Sequence, residues 1–178
     1  MTAIVQECAL PALCSLNQQA AGAAFINCQR IDVSSTERTA MGHALRALAT
    51  TPRWIDNMMQ LRNAIVRHLG LKDLGRLTRI DLNRDEASYQ PGDRVGIFTL
   101  IANSPDEVLM ADKDKHLDVF LALNRLPINA DGTRTLVLST VVHTHNWLGT
   151  LYMLPVAPFH RLIAPLTLAN VARERTQR

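Results

Sequence analysis

Aromatic side chains make up only 4% of this 178-residue sequence, and no block of Lys or Arg is denser than the tail that holds Arg173, Arg175 and Arg178. A nucleic-acid surface concentrates cations and interleaves rings for stacking, so both scarcities argue against a nucleic-acid partner. The formal net charge of +3, with acids and bases interspersed, points the same way. The signatures of familiar chemistry are also missing. There is no Gly-x-Gly-x-x-Gly after a strand, no phosphate loop, no nucleophile elbow and no zinc-protease motif. No cofactor is expected, and a dinucleotide in particular has no cradle.

Cysteine is sparse and unpatterned: Cys8, Cys14 and Cys28 lie in one N-terminal segment without Cys-x-x-Cys spacing. They read as reduced thiols of a cytoplasmic protein. Residues 8–29 carry no charge and are rich in alanine, yet no positive region precedes them and Asn17, Gln18 and Gln19 interrupt the apolar run, so an export signal is not expected. A longer uncharged stretch, Thr135 to His160, holds no Lys, Arg, Asp or Glu. By count it reaches the ~20 apolar residues that span a bilayer. Its content overrules its length, because hydrocarbon penalises His143, His145, Asn146, Gly149, Pro155 and Pro158 in its middle.

The composition, 47% hydrophobic and 20% charged, supplies enough apolar surface for one real core. Residues 1–24 have no clear period and read as a lead-in that packs on the domain. Residues 25–173 read as a single α+β domain, and residues 174–178 as a polar tail. Phe25 to Val33 alternates as a strand. Ser34-Ser35-Thr36-Glu37 then matches a capping box, with Met41, Ala44, Leu45 and Leu48 following at helical spacing. Thr51-Pro52 restarts the chain into a second helix to about Leu69, with Trp54, Met58, Leu61, Ile65 and Leu69 as its apolar stripe and Gly70 as its stop.

From Leu77 the period shifts toward two. Leu77–Leu82, Arg94–Ala102, Glu107–Ala111, His116–Leu126 and Thr133–His145 read as strands, broken by Pro91-Gly92-Asp93, Asn103-Ser104-Pro105-Asp106 and Asn129-Ala130-Asp131-Gly132. The last turn closes a hairpin between the two longest strands, and connections this short imply an antiparallel sheet of about six strands. After Asn146 the apolar spacing returns to three and four, which predicts a closing helix. Pro155, Pro158 and Pro165 predict a kink or short break in it between Met153 and Phe159.

The order of elements resembles the helix-grip architecture of the START and Bet v 1 superfamily. That resemblance implies a curved sheet wrapping a long C-terminal helix, with a cavity between them. A plain two-layer sandwich with a filled core has the same order. Several segments also resemble a bacterial family, domain of unknown function 2867: Pro52-Arg53-Trp54-Ile55, Leu61-Arg62-Asn63, Gly70-Leu71, Asp114-Lys115-His116-Leu117-Asp118, Ser139-Thr140-Val141-Val142, Asn146-Trp147-Leu148-Gly149, Leu151-Tyr152 and Pro158-Phe159-His160-Arg161. The likeness covers roughly residues 20–170, with a departure at Ala111-Asp112-Lys113. The family has no agreed activity. Members fused behind a reductase of the short-chain type imply, for a chain without a dinucleotide fold, a reductase partner acting in trans.

Two constellations are candidates for chemistry. His116 and Asp118 share one strand face, as do His143 and His145, and the hairpin brings both pairs to one sheet end. That set suits proton transfer or a metal held by His116, His143 and His145, although histidines at strand ends more often serve structure. The second is the closing region, where Asn146, Trp147, Tyr152, Phe159 and His160 are candidate ligand-binding residues. Arg62-Asn63 facing Asp114 or Asp118 reads as packing. Three functions follow. The leading one is binding of an apolar or amphipathic small molecule between sheet and closing helix. The others are a hydrolase or lyase using the His/Asp cluster, and an interaction module for a reductase or a membrane surface, which predicts an exposed apolar patch on the last helix. Self-association into a homo-oligomer is compatible with each.

Overall fold

A computed structural model describes residues 4–34, 38–52, 54, 55, 57, 58, 60, 80, 81 and 84–173. It is an α+β fold built on one antiparallel sheet. The seven strands among the described residues are β1 (Gln6–Glu7), β2 (Phe25–Ser34), β3 (Arg94–Val95), β4 (Phe98–Asn103), β5 (Glu107–Lys113), β6 (Leu117–Ile128) and β7 (Thr133–Thr144). Their spatial order is β1-β2-β7-β6-β5-β4-β3. A short helix, α1 (Ala40–Ala49), and a long C-terminal one, α2 (Trp147–Arg173), pack on one face.

The expected hairpin organises the sheet. At its tip Gly132 takes φ +77°, and the Asp131 carboxylate accepts from Thr133 N at 2.9 Å and Thr133 Oγ1 at 2.6 Å. Such Asp-Gly chemistry fixes register, because Gly reaches positive φ without a Cβ clash. β6 and β7 then pair from Ile128↔Arg134 to Leu117↔Thr144, with one irregularity between Arg125 and Ile128. β7 also pairs with β2 along most of its other edge, from Ser34↔Thr133 to Phe25↔Val142.

Both faces of the sheet are covered. Leu121, Leu123, Leu136 and Leu138 meet Met41, Leu45 and Leu48 of α1 and Ala164 and Leu168 of α2. The alternate residues Phe120, Ala122 and Val141 meet Cys14 and Leu16 from the N-terminal segment. That segment begins with β1 pairing on β2, and continues to a 3-10 turn, Ser15–Gln18, whose Leu16 is fully buried. Burying a leucine contributes about 1.5–3 kcal/mol. Glu107 fastens the turn, accepting from Ser15 N at 2.8 Å, Ser15 Oγ at 2.6 Å and Asn124 Nδ2 at 2.9 Å.

Several expectations need correction. Ser34 ends β2 rather than capping α1, because its pairing with Thr133 extends the ladder. The cap is Thr39, whose hydroxyl accepts from Gly42 N at 3.1 Å and donates to Glu86 Oε2 at 2.6 Å. Gly42 has no Cβ where the Glu86 carboxylate sits, so the glycine admits this tie. The strand expected over Arg94–Ala102 divides into β3 and β4 around Gly96, at φ +59°, and with β1 the described residues hold seven strands where about six were expected. Residues 54, 55, 57, 58 and 60 are helical as expected, with Ile55 rather than Trp54 buried. The rest of the second helix, with Arg62, Asn63 and Gly70, lies outside the described residues. So do most of the Leu77–Leu82 strand and the tail, while Ile80 and Asp81 form no strand. Finally, α2 runs unbroken through Pro155, Pro158 and Pro165. The carbonyls that Pro155 and Pro158 leave without an amide belong to Leu151 and Leu154, both exposed, on the side of α2 that faces solvent.

Glu107 makes the covering layer pH-sensitive. Burial pushes its pKa up, but the hydrogen bonds from Ser15 and Asn124 outweigh burial and hold it below the ordinary value. A carboxylate with a depressed folded-state pKa stabilises fully above its unfolded value and loses that contribution as pH falls through the folded value. We expect Glu107→Ala to lower stability by roughly 1–3 kcal/mol at neutral pH. The variant should also become cleavable around the exposed Leu13, as limited proteolysis will show.

Candidate functional site

The close of β7 delivers the chain into α2 through His145 and Asn146, and Asn146 is fully employed there. Its Oδ1 accepts from Gly149 N at 3.1 Å, which caps the helix. Its Nδ2 donates to the Lys115 carbonyl at 3.2 Å and lies 2.9 Å from His116 Nδ1. A Cβ on Gly149 would collide with the His116 carbonyl oxygen, so the first turn of α2 rests directly on the strand-end backbone. Asn146, expected among ligand-binding residues, is thus the joint between hairpin and helix.

The histidines share a sheet end but not a single point. His145 Nε2 pairs with Asp118 Oδ1 at 3.2 Å, while His143, directly opposite Asp118 in register, donates from Nε2 to the Gln19 carbonyl at 2.7 Å. His143 also meets Phe120 edge-on at 6.3 Å. His116 turns to Asn146 instead. Among the described residues, no three His, Cys, Asp or Glu side chains come together as a metal-holding group. Cys8, Cys14 and Cys28 are free, and burial is the first cause that pushes each above the ordinary thiol value, Cys14 to about 12. They stay protonated and offer no nucleophile at neutral pH.

The other face of the same strands holds a cavity of about 80 Å³ under α2. Phe25, Val119, Thr140 and Val142 line it from the sheet, and Tyr152, Met153, Val156 and His160 from the helix. Asp112 and Asp114 stand at the β5 end and are engaged within the chain. Because directly opposite residues share a face, Asp118 and His143 point to the N-terminal segment while Val119 and Val142 point to α2. The histidine cluster and the cavity are therefore on opposite sides of the sheet.

Of the candidate ligand-binding residues, Tyr152 and His160 line the cavity, whereas Trp147 (75% exposed) and Phe159 (46%) face outward. The His160 ring meets Phe25 edge-on at 5.5 Å, and its enclosed Nδ1 has no hydrogen-bond partner. Thr140 Oγ1 is likewise enclosed and unpartnered, and so is Oδ1 of Asn27, the residue opposite it in register. Thr140, Phe25 and Val156 were not among the candidate site residues expected from the sequence. Parity along β7, with Leu136 and Leu138 facing the helices, carries the signal for Thr140.

Burial alone pushes His160 down to about 4, and burial first, then Arg38, Arg125 and Arg134, does the same to His43 in α1. Both rings are neutral at pH 7. Between the unfolded value near 6.5 and the folded value near 4 the unfolded chain binds more protons, so stability falls as pH drops through that window. Denaturation followed across it should show the release of roughly two protons on folding. His160→Phe should remove about one of them, whereas an unchanged slope would mean the ring is solvated.

Residues 19–167 match the family model described as "Protein of unknown function (DUF2867)". No curated protein and no solved structure matches the chain. With the match covering most of the sequence, from the turn beneath His143 to the buried half of α2, this chain belongs to the DUF2867 family.

Proposed function

We propose that this domain binds a small apolar or amphipathic molecule in the cavity between the sheet and α2. One observation carries the reading: Thr140 and His160 line a largely apolar cavity, and the Thr140 hydroxyl and His160 Nδ1 are enclosed without a hydrogen-bond partner. Buried polar atoms in folded proteins are bonded in the great majority of cases, and an orphan costs about 1–3 kcal/mol. A ligand or ordered water that bonds both groups removes that cost. The enzyme reading, with His116, Asp118, His143 and His145 in proton transfer, has less behind it. Each imidazole already has its own partner, and the cluster lies across the sheet from the cavity.

A second reading rests on a separate observation. Trp147, Leu151, Leu154, Phe159 and Leu162 are exposed large apolar side chains on α2, and the helix carries no acidic residue. Apolar residues gathered on one element mark interaction surfaces more often than chance exposure does. They fit a protein partner, such as a reductase served in trans. No helix among the described residues is long and apolar enough to cross a membrane.

Native mass spectrometry of protein purified without denaturation tests both readings. Cavity binding predicts a small retained mass that is lost in Val156→Trp, which fills the space under α2. Docking predicts a macromolecular adduct that Leu154→Glu abolishes without lowering the melting temperature. Bare protein of the chain mass in both backgrounds, with no adduct after incubation in cell extract, would contradict both.

A further inference from the structure

The cavity's size and its unmet atoms narrow what it can hold, an argument that rests on the binding reading above. At about 80 Å³ it is far smaller than the ~300–1000 Å³ of sites for drug-sized ligands. It has room for about five water-sized groups. Long acyl chains and ring systems do not fit beneath α2 as it stands.

The polar groups decide the head. Asp112 and Asp114 are the charged side chains of the lining among the described residues, and both are already engaged within the chain. The atoms left over are uncharged: the Thr140 hydroxyl, which donates or accepts, and the imidazole Nδ1 of His160, which takes either role according to tautomer. Neither supplies a counter-charge. An anion entering here would be stripped of water and face carboxylates, and a cation would have to share carboxylates that already have a partner within the chain. A hydroxyl matches both kinds of leftover, since it can donate to one and accept from the other. Phe25, Val142, Met153 and Val156 then surround a short apolar body.

We infer that the cavity is a site for a small uncharged alcohol or similarly neutral donor–acceptor head on an aliphatic body of about four carbons, held between Thr140 and His160. The tautomer of His160 is set by which side of the ligand hydroxyl it meets.

The test is an NMR titration of the full chain at pH 7 with three probes of equal length: 1-butanol, butylammonium and butyrate. The backbone amide of Thr140 and the ring nitrogens of His160 are the reporters. The inference predicts saturable shifts at both reporters with 1-butanol, and binding of the two ions weaker by about tenfold or more. Thr140→Val keeps the side-chain shape and removes the hydroxyl. It should weaken 1-butanol by roughly two- to tenfold while leaving the melting temperature equal or higher, since the orphaned hydroxyl is gone. Tighter binding of butylammonium or butyrate at the same reporters would overturn the neutral-head assignment and leave the cavity a ligand site. Absence of saturable shifts with all three probes would overturn the binding reading with it, and assign the space to water alone.

Discussion

Double burial of the β6–β7 pair is the constraint on which the rest of this molecule depends. β7 is buried from Thr135 to Val142, with helices against one side and the N-terminal segment against the other. Parity along the strand then decides the role of every side chain. Val141 belongs to the layer with Leu16, and Leu136 and Leu138 to the layer with α1 and α2. Thr140 and His143, three residues apart, end on opposite sides for the same reason. The polar residues of one short stretch are thereby divided between the N-terminal face and the cavity face of the sheet.

That division separates two ideas the linear chain runs together. His143, His145, Asn146 and His160 are close in sequence and invite a single site. In three dimensions His143 ties down the N-terminal segment through Gln19, and His145 holds Asp118. Asn146 caps α2, and His160 alone reaches the cavity. The covering segment, with Glu107 as its fastening, engages His143 from the sheet face opposite the cavity.

Much of this was legible in the sequence, and the failures have physical causes. The hairpin could be read because Asp131-Gly132 is turn chemistry between two alternating runs, and α2 because its apolar spacing is helical. The cap of α1 was misplaced because Ser34-Ser35-Thr36-Glu37 has capping spacing, while the ladder to β7 claims Ser34 and leaves Thr39 to cap with help from Glu86, remote in sequence. β1 pairs only at Gln6 and Glu7, too short to show a period. Of the kink or short break expected between Met153 and Phe159, the break is absent because the bonds that Pro155 and Pro158 remove lie on the water side of α2. At the candidate site Tyr152 and His160 were found because the closing helix was expected to cover a cavity. Thr140 was missed because a threonine inside a β-branched run looks like ordinary strand, and only the parity of the finished sheet shows which way it points.

A crystal structure of the protein as purified, with the space between Thr140 and His160 inspected, tests the central claim most directly. The account predicts ordered density under α2 within hydrogen-bond distance of Thr140 Oγ1 and His160 Nδ1, bounded by Phe25, Val142, Met153 and Val156. Side chains closed over that space, with His160 bonded to a protein group and nothing between helix and sheet, would contradict it.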